Sequence, residues 1–343
     1  MNSCNQQPSR TDRAGPLRVL IIKTSSLGDV IHTLPALSDA VSRQEIRFDW
    51  VVEESFAEVP GWHRSVDRVI PVALRRWRKT PLQTWRSGEW QAFKQALGQC
   101  RYDRIIDAQG LLKSAWLTRY AQGPSYGLDK HSAREPLASR FYNHPISVAR
   151  EQHAVERVRQ LLAAALEYEV PQHPADYQID RSRLPDNPYE GNYLVFLHGT
   201  TWPTKHWPEA YWRELALRAC EAGLRVLIPW GNTTEKQRAD NIAGISDQIS
   251  VLPRLNLSTL AAILAQAQAV VSVDTGLAHL CAALDTPNIT LYGPTQPKLV
   301  GTYGRHQIHL QAEQQPGPDA DNGAMAKLTP ERVWWQLTER LQA

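Results

Sequence analysis

The sequence has no strong charge of either sign: 38 basic and 35 acidic residues leave a formal +3 over 343 residues. That is too little to hold nucleic acid by bulk electrostatics, so any basic partner site must be local. It has no apolar run of 18 residues, which excludes an ordinary membrane-spanning helix, and no signal-peptide core at its start. Cysteine is scarce. Cys4, Cys100, Cys220 and Cys281 are scattered without metal-ligand spacing, and the apolar helical contexts of the last three predict buried, reduced thiols. The dinucleotide fingerprint is also missing, since the turn after the first strand has Gly28 as its only glycine. These absences predict a cytoplasmic protein whose membrane contact, if any, is peripheral.

What is present is alternation. Strand-like runs fall at 18–23, 48–54, 68–72 and 103–109, with helical patterns near 30–43, 82–99, 111–121 and 153–167. The scheme repeats with strands at 193–198, 225–230, 249–252, 269–273 and 289–293 and helices near 208–222, 233–244, 258–267 and 276–284. Such alternation predicts two α/β, doubly wound, Rossmann-like domains with parallel sheets, facing a central cleft. Residues 1–16 are expected to be a disordered leader, 17–172 the first domain, 173–192 a proline-containing linker, 193–328 the second domain and 329–343 a last helix. That helix carries Val333, Trp334, Leu337 and Leu341 on one face and must pack, a return across the linker being one expectation.

In doubly wound folds ligands sit at the carboxyl ends of strands. Lys23-Thr24-Ser25-Ser26-Leu27-Gly28-Asp29 follows the first strand and places the Asp29 carboxylate at the lip of the cleft. Gly28 reads as the residue that keeps this turn tight. Asp274-Thr275-Gly276 leads from a strand into a helix whose first N–H groups suit a phosphate, with His279 one turn on. Thr200, Thr201 and Lys205 after another strand add two hydroxyls and an ammonium fit for a diphosphate, and Glu235 is placed to accept from ribose hydroxyls. The bland alternatives are helix caps for Asp29 and Asp274, an interface role for His279 and a dipole-complementing first-turn role for Glu235. Twelve tryptophans are present, several beside arginine as in Arg76-Trp77-Arg78 and Trp85-Arg86. Most read as helix packing, yet the pairing suits a surface that meets anionic, partly apolar ligands.

From about Arg18 to the last helix the chain resembles the lipopolysaccharide heptosyltransferases of glycosyltransferase family nine. The carrying segments are Val19 to Val30, Asp107-Ala108-Gln109-Gly110, Ala133-Arg134-Glu135-Pro136-Leu137-Ala138 and Ser272 to Leu277. Phe48 to Glu54 and Arg75 to Lys79 are closer to the type that adds the first heptose than to its sister enzymes. The resemblance implies a GT-B fold, an ADP-L-glycero-D-manno-heptose donor, no cofactor or obligatory metal, and inversion at the anomeric carbon. It implies a Kdo-lipid A acceptor, met peripherally at the cytoplasmic face of the inner membrane. It makes Asp29 the base, Lys205 a second catalytic group, and Thr200, Thr201, Lys205, Glu235, Asp274, Thr275, Gly276, Leu277 and His279 the donor site. Ser26, Gly28, Arg75, Arg76, Arg78, Lys79 and Arg134 fall on the acceptor side. Trp202 and Gln296-Pro297-Lys298 depart from the family pattern. The rival readings are a sister heptosyltransferase acting on a heptosylated core, a nucleotide-sugar epimerase, and a non-catalytic nucleic-acid binder. The last is disfavoured by the near-neutral charge.

Overall fold

A computed structural model describes residues 15–312 and 323–342. The expected leader, apart from its last two residues, and Cys4 lie outside the described residues. Among the described residues twelve strands form two six-stranded sheets. The first holds β1 (Leu17–Ile22), β2 (Ile46–Glu53), β3 (Val66–Val72), β4 (Arg104–Asp107), β5 (Ser125–Leu128) and β6 (His144–Ile146) in the order β3-β2-β1-β4-β5-β6. The second holds β7 (Tyr193–Leu197), β8 (Arg225–Ile228), β9 (Ile249–Val251), β10 (Ala269–Val273), β11 (Asn288–Tyr292) and β12 (Gln307–Gln311) in the order β12-β11-β10-β7-β8-β9. Every strand pairing is parallel. Each sheet therefore repeats the same winding, read from its own first strand, and the two make the pair of doubly wound α/β units that the alternation predicts.

Both faces of each sheet are covered, and the two-residue period of a strand shows how. Val19 and Ile21 of β1 join one apolar cluster, while Leu20 and Ile22 join another on the opposite face. Tyr193, Val195 and Leu197 of β7 enter the same cluster as Val19, whereas Leu194 and Phe196 point into a third. One continuous apolar core thus runs from the inner face of the first sheet to the inner face of the second.

Several expectations need correction. The helix expected over 82–99 is two, Pro81–Ser87 and Glu89–Gly98, because Gly88 adopts φ 75° between them. That over 30–43 is likewise split, into Leu27–Ile31 and Leu34–Arg43. β5, β6 and β12 escaped the pattern: they run three to five residues, β6 contains Pro145, and β6 and β12 are sheet edges. The last helix, Pro330–Gln342, does not return across the linker. Val333 and Leu337 bury against helix Glu209–Glu221 on the outer side of the second sheet, where Arg218 pairs with Glu331 at 2.9 Å. The thiols of Cys100, Cys220 and Cys281 are free, but only Cys281 is fully buried.

Candidate active site

In a doubly wound sheet the crevice opens where the winding reverses, beyond the carboxyl ends of the two central strands. In the first sheet those strands are β1 and β4, and in the second β7 and β10. The turns that follow them are Lys23–Asp29, Ala108–Gly110, Gly199–Thr201 and Asp274–Gly276. The topology thus gathers most of the singled-out residues at two switch points.

Asp29 lies in the first turn of helix Leu27–Ile31, whose N-cap is Ser26 rather than Asp29 itself. Its Oδ2 accepts from the Ser26 backbone N–H at 2.9 Å and the Ser26 hydroxyl at 3.0 Å, and its Oδ1 stands 3.5 Å from Lys23 Nζ. Burial pushes this carboxyl up, but Lys23, the Ser26 donors and His279 outweigh it and hold Asp29 below its usual range. Lys23 is buried and also donates to the Ala108 carbonyl at 2.9 Å. The turn is pinned from β4 as well. Gln109 Oε1 accepts from the Thr24 and Ser25 backbone N–H groups at 3.0 and 3.1 Å. Asp107, fully buried, accepts from the Gln109 N–H at 2.8 Å, Ser114 Oγ at 2.8 Å and Tyr142 OH at 2.7 Å. Lys23, Asp107 and Gln109 were not among the candidate residues, although each stands in a segment that carried the resemblance.

Helix Leu27–Ile31 crosses helix Gly276–Ala283 of the second half at glycines. A Cβ on Gly28 would lie 2.6 Å from His279 Cδ2, and one on Gly276 would lie 2.8 Å from Leu27 Cβ. Gly28 therefore serves a close approach between the two halves rather than a tight turn, since its φ is not positive. The side of Gly276 on which a side chain would stand meets Leu27. His279 Nδ1 meets His32 Nε2 at 3.0 Å, and His153 packs edge-on to His32. Burial, with charge from neighbouring histidines and Lys23, drives His32 well below the usual histidine value. Burial likewise lowers His279 to about 4, against the opposing pull of Asp274 and Asp29. Both rings are neutral at pH 7. His279 thus feels both carboxylates, one from each half of the chain.

On the second-sheet side, Lys205 Nζ donates to Asp274 Oδ2 at 2.6 Å, and Thr200 Oγ1 to the Asp274 carbonyl at 3.4 Å. Thr275 is the N-cap of helix Gly276–Ala283 without a side-chain cap bond, so its hydroxyl is not spent on the helix. Leu277 packs against the inner apolar core. Glu235 Oε2 accepts from the Gly231 N–H at 2.7 Å, and its carboxyl lies against Gly199, where a Cβ would sit 2.8 Å from Cδ. Thr201 and Trp202 are exposed beside this cluster. Lys205, Asp274, Thr200 and Glu235 thus form one cradle of charge and hydroxyls across the ends of β7, β8 and β10.

The basic candidates divide. Arg75, Arg76, Arg78 and Lys79 ride on helix Leu74–Lys79. Arg76 is committed within the chain, 3.0 Å from Glu54 and 2.9 Å from Glu89, which holds its guanidinium far above the usual value. Arg75 stacks over the Phe56 ring at 5.6 Å. Arg78 and Lys79 are exposed with no carboxylate at ion-pair distance among the described residues. Arg134 is exposed in the loop that packs on the end of β4, where Glu135 N donates to Gly110 O at 3.2 Å.

The sequence profile of "Glycosyltransferase family 9 (heptosyltransferase)" matches residues 90–329. The chain is 60% identical to lipopolysaccharide heptosyltransferase 1 of Pseudomonas aeruginosa, over 87% of this chain and 84% of that protein. Its fold is similar to E. coli heptosyltransferase WaaC with ADP, at a TM-score of 0.87 and 49% identity over 94% of this chain and 100% of that one. The same holds for WaaC with ADP-2-deoxy-2-fluoro heptose, at a TM-score of 0.84 and 49% identity over 94% of this chain and 99% of that one.

Proposed function

The chain belongs to glycosyltransferase family 9, the heptosyltransferases, and from that premise we propose that it moves heptose from ADP-heptose onto the Kdo of Kdo-lipid A. The enzyme is then a lipopolysaccharide heptosyltransferase of type I, working at the cytoplasmic face of the inner membrane as a peripheral protein. Residues 17–172 present the acceptor and residues 193–328 the donor. The observation that carries the reading is the glycine-mediated crossing, which sets the Asp29 turn of one sheet against the Asp274-Thr275-Gly276 turn of the other.

An inverting transfer asks for one base on the acceptor side and charge stabilisation on the donor side. Asp29, ionised at neutral pH, takes the proton of the acceptor hydroxyl while that oxygen attacks the anomeric carbon. ADP departs from the opposite face with the bonding electron pair. Lys205, held by Asp274, offsets the negative charge growing on the leaving diphosphate. The free N–H groups at the start of helix Gly276–Ala283 add partial positive charge there. Glu235 accepts from ribose hydroxyls, and Thr200, Thr201 and Thr275 add donors. Arg78, Lys79, Arg75 and Arg134 face acceptor carboxylates and phosphates, which arginine can grip with two bonds.

One assay separates this reading from its rivals: ADP-heptose incubated with Kdo-lipid A, with its monoheptosylated product, or with no acceptor. Product only in the first tube supports it. Product only in the second means a sister heptosyltransferase, and donor conversion with no acceptor means an epimerase.

A further inference from the structure

Helices Leu74–Lys79 and Pro81–Ser87 lean over an open groove of about 540 Å³ lined by Trp77, Trp85, Trp90 and Trp116. The groove floor is packed: Trp90 stacks on Trp116 with centroids 5.3 Å apart and meets Trp77 edge-on at 5.7 Å. Exposed apolar side chains stand on and beside its rim. Leu82 and Trp85 are 75% and 78% exposed, and Leu112 and Trp116 about 40%. Of the nine exposed large hydrophobic side chains among the described residues, Trp85 and Trp116 line this groove, and Leu82 and Leu112 each adjoin in sequence a residue that lines it, Pro81 and Lys113. Clustered exposure of that kind marks a contact surface.

The same rim is cationic. Arg75, Arg78 and Lys113 line the groove, and Lys79 and Arg86 stand exposed on the same two helices. Of the acidic groups nearby, Glu54 and Glu89 pair with Arg76, Glu53 accepts from the Arg75 N–H at 3.1 Å and Glu135 from the Leu112 N–H at 2.7 Å. Lys113 reaches from the groove to the opening turn, donating to Ser25 Oγ at 3.4 Å, so the groove ends beside the turn that carries Asp29.

We propose that this aromatic, cation-rimmed face seats the enzyme on an anionic lipid bilayer, with Leu82 and Trp85 entering the headgroup region. Short exposed helices that carry tryptophan and leucine beside arginine and lysine suit a membrane interface, and their cations draw them to anionic lipid. The inference rests on the lipid-borne acceptor of the proposed function. An acceptor held in the bilayer by its acyl chains reaches Asp29 only if the membrane stops close to that turn, and the groove sets the membrane there.

The test is co-sedimentation of the full chain with phosphatidylcholine vesicles, with and without phosphatidylglycerol. It is run beside a Leu82→Ser/Trp85→Ser variant and an Arg86→Glu variant. The wild type should bind the phosphatidylglycerol vesicles, less so at high salt. Arg86→Glu should bind them more weakly, and the double variant should lose at least about tenfold in partitioning. On a water-soluble, deacylated Kdo acceptor the double variant should turn over like the wild type, which also reports an intact fold. Wild-type-like vesicle binding by the double variant overturns the proposal. So does equal loss on the soluble acceptor, or a change in self-association by sedimentation velocity in place of vesicle binding. Failure of the heptosyl-transfer reading shows up separately, as no transfer to either acceptor while vesicle binding through Leu82 and Trp85 persists.

Discussion

At the residue scale the central question is what Asp29 does beyond closing the first turn of its helix. A capping role alone predicts a modest loss of stability and little change in turnover. A base predicts the reverse. Asp29→Ala should lower kcat by about 10²- to 10⁴-fold while ADP-heptose still binds, measured by turnover beside calorimetric titration of the donor. Near-normal turnover would remove Asp29 from the chemistry. Lys23 supplies a finer check. Its charge helps keep Asp29 ionised, so Lys23→Gln should raise the Asp29 pKa and move the acid limb of the kcat/KM profile to higher pH. An unmoved limb would mean that another group titrates there. The basic helix offers a contrast between neighbours. Reversing Arg78 and Lys79 together to glutamate should raise acceptor KM with donor KM nearly unchanged. Arg76→Ala should instead loosen the helix, because Arg76 is tied to Glu54 and Glu89. Larger acceptor effects at Arg76 than at Arg78 and Lys79 would invert that assignment.

Among the elements, the crossing of helices Leu27–Ile31 and Gly276–Ala283 admits no added methyl. Gly28→Ala puts a carbon 2.6 Å from the His279 ring, an overpacking that should cost about 1–3 kcal/mol by chemical denaturation. If the clash is the cause, combining it with His279→Ala should recover part of that loss in a double-mutant cycle. Simple additivity would place the strain elsewhere. This crossing also shows why part of the site could not be read from the chain. Asp29, Lys205 and Asp274 stand out because each lies in the segment that follows a strong apolar strand, a local signal. The His32–His279 contact joins residues 247 positions apart, and nothing near Gly28 reveals that a ring will cover it. Lys23 and Gln109 were visible as letters in carrying segments, but their roles come from β1 and β4 lying side by side. The central strands were legible as apolar runs, while β5, β6 and β12 interrupt their few apolar residues with glycine, proline or polar side chains and showed no such run.

For the whole molecule, the histidines between the two halves predict an acid limit. The unfolded chain protonates such rings near pH 6.5, whereas His279 stays neutral in the fold until about pH 4 and His32 until well below its usual value. The unfolded state therefore binds more protons as pH falls through this window. Stability should be full above about pH 6.5 and decline toward pH 4. A His32→Gln/His279→Gln variant should show a flatter dependence of Tm on pH, read by differential scanning calorimetry. An unchanged slope would assign the acid loss to the other buried histidines, such as His63 and His198, which also lie at about 4.

The glycine crossing has a mechanical consequence as well. Gly28 precedes Asp29 by one residue, and Gly276 follows Asp274 by two. If the halves rock about this contact, displacement grows with distance from the fulcrum. The outer rim of the cleft then swings widely to admit a bulky lipid-linked sugar, while the carboxylates beside the fulcrum scarcely move apart.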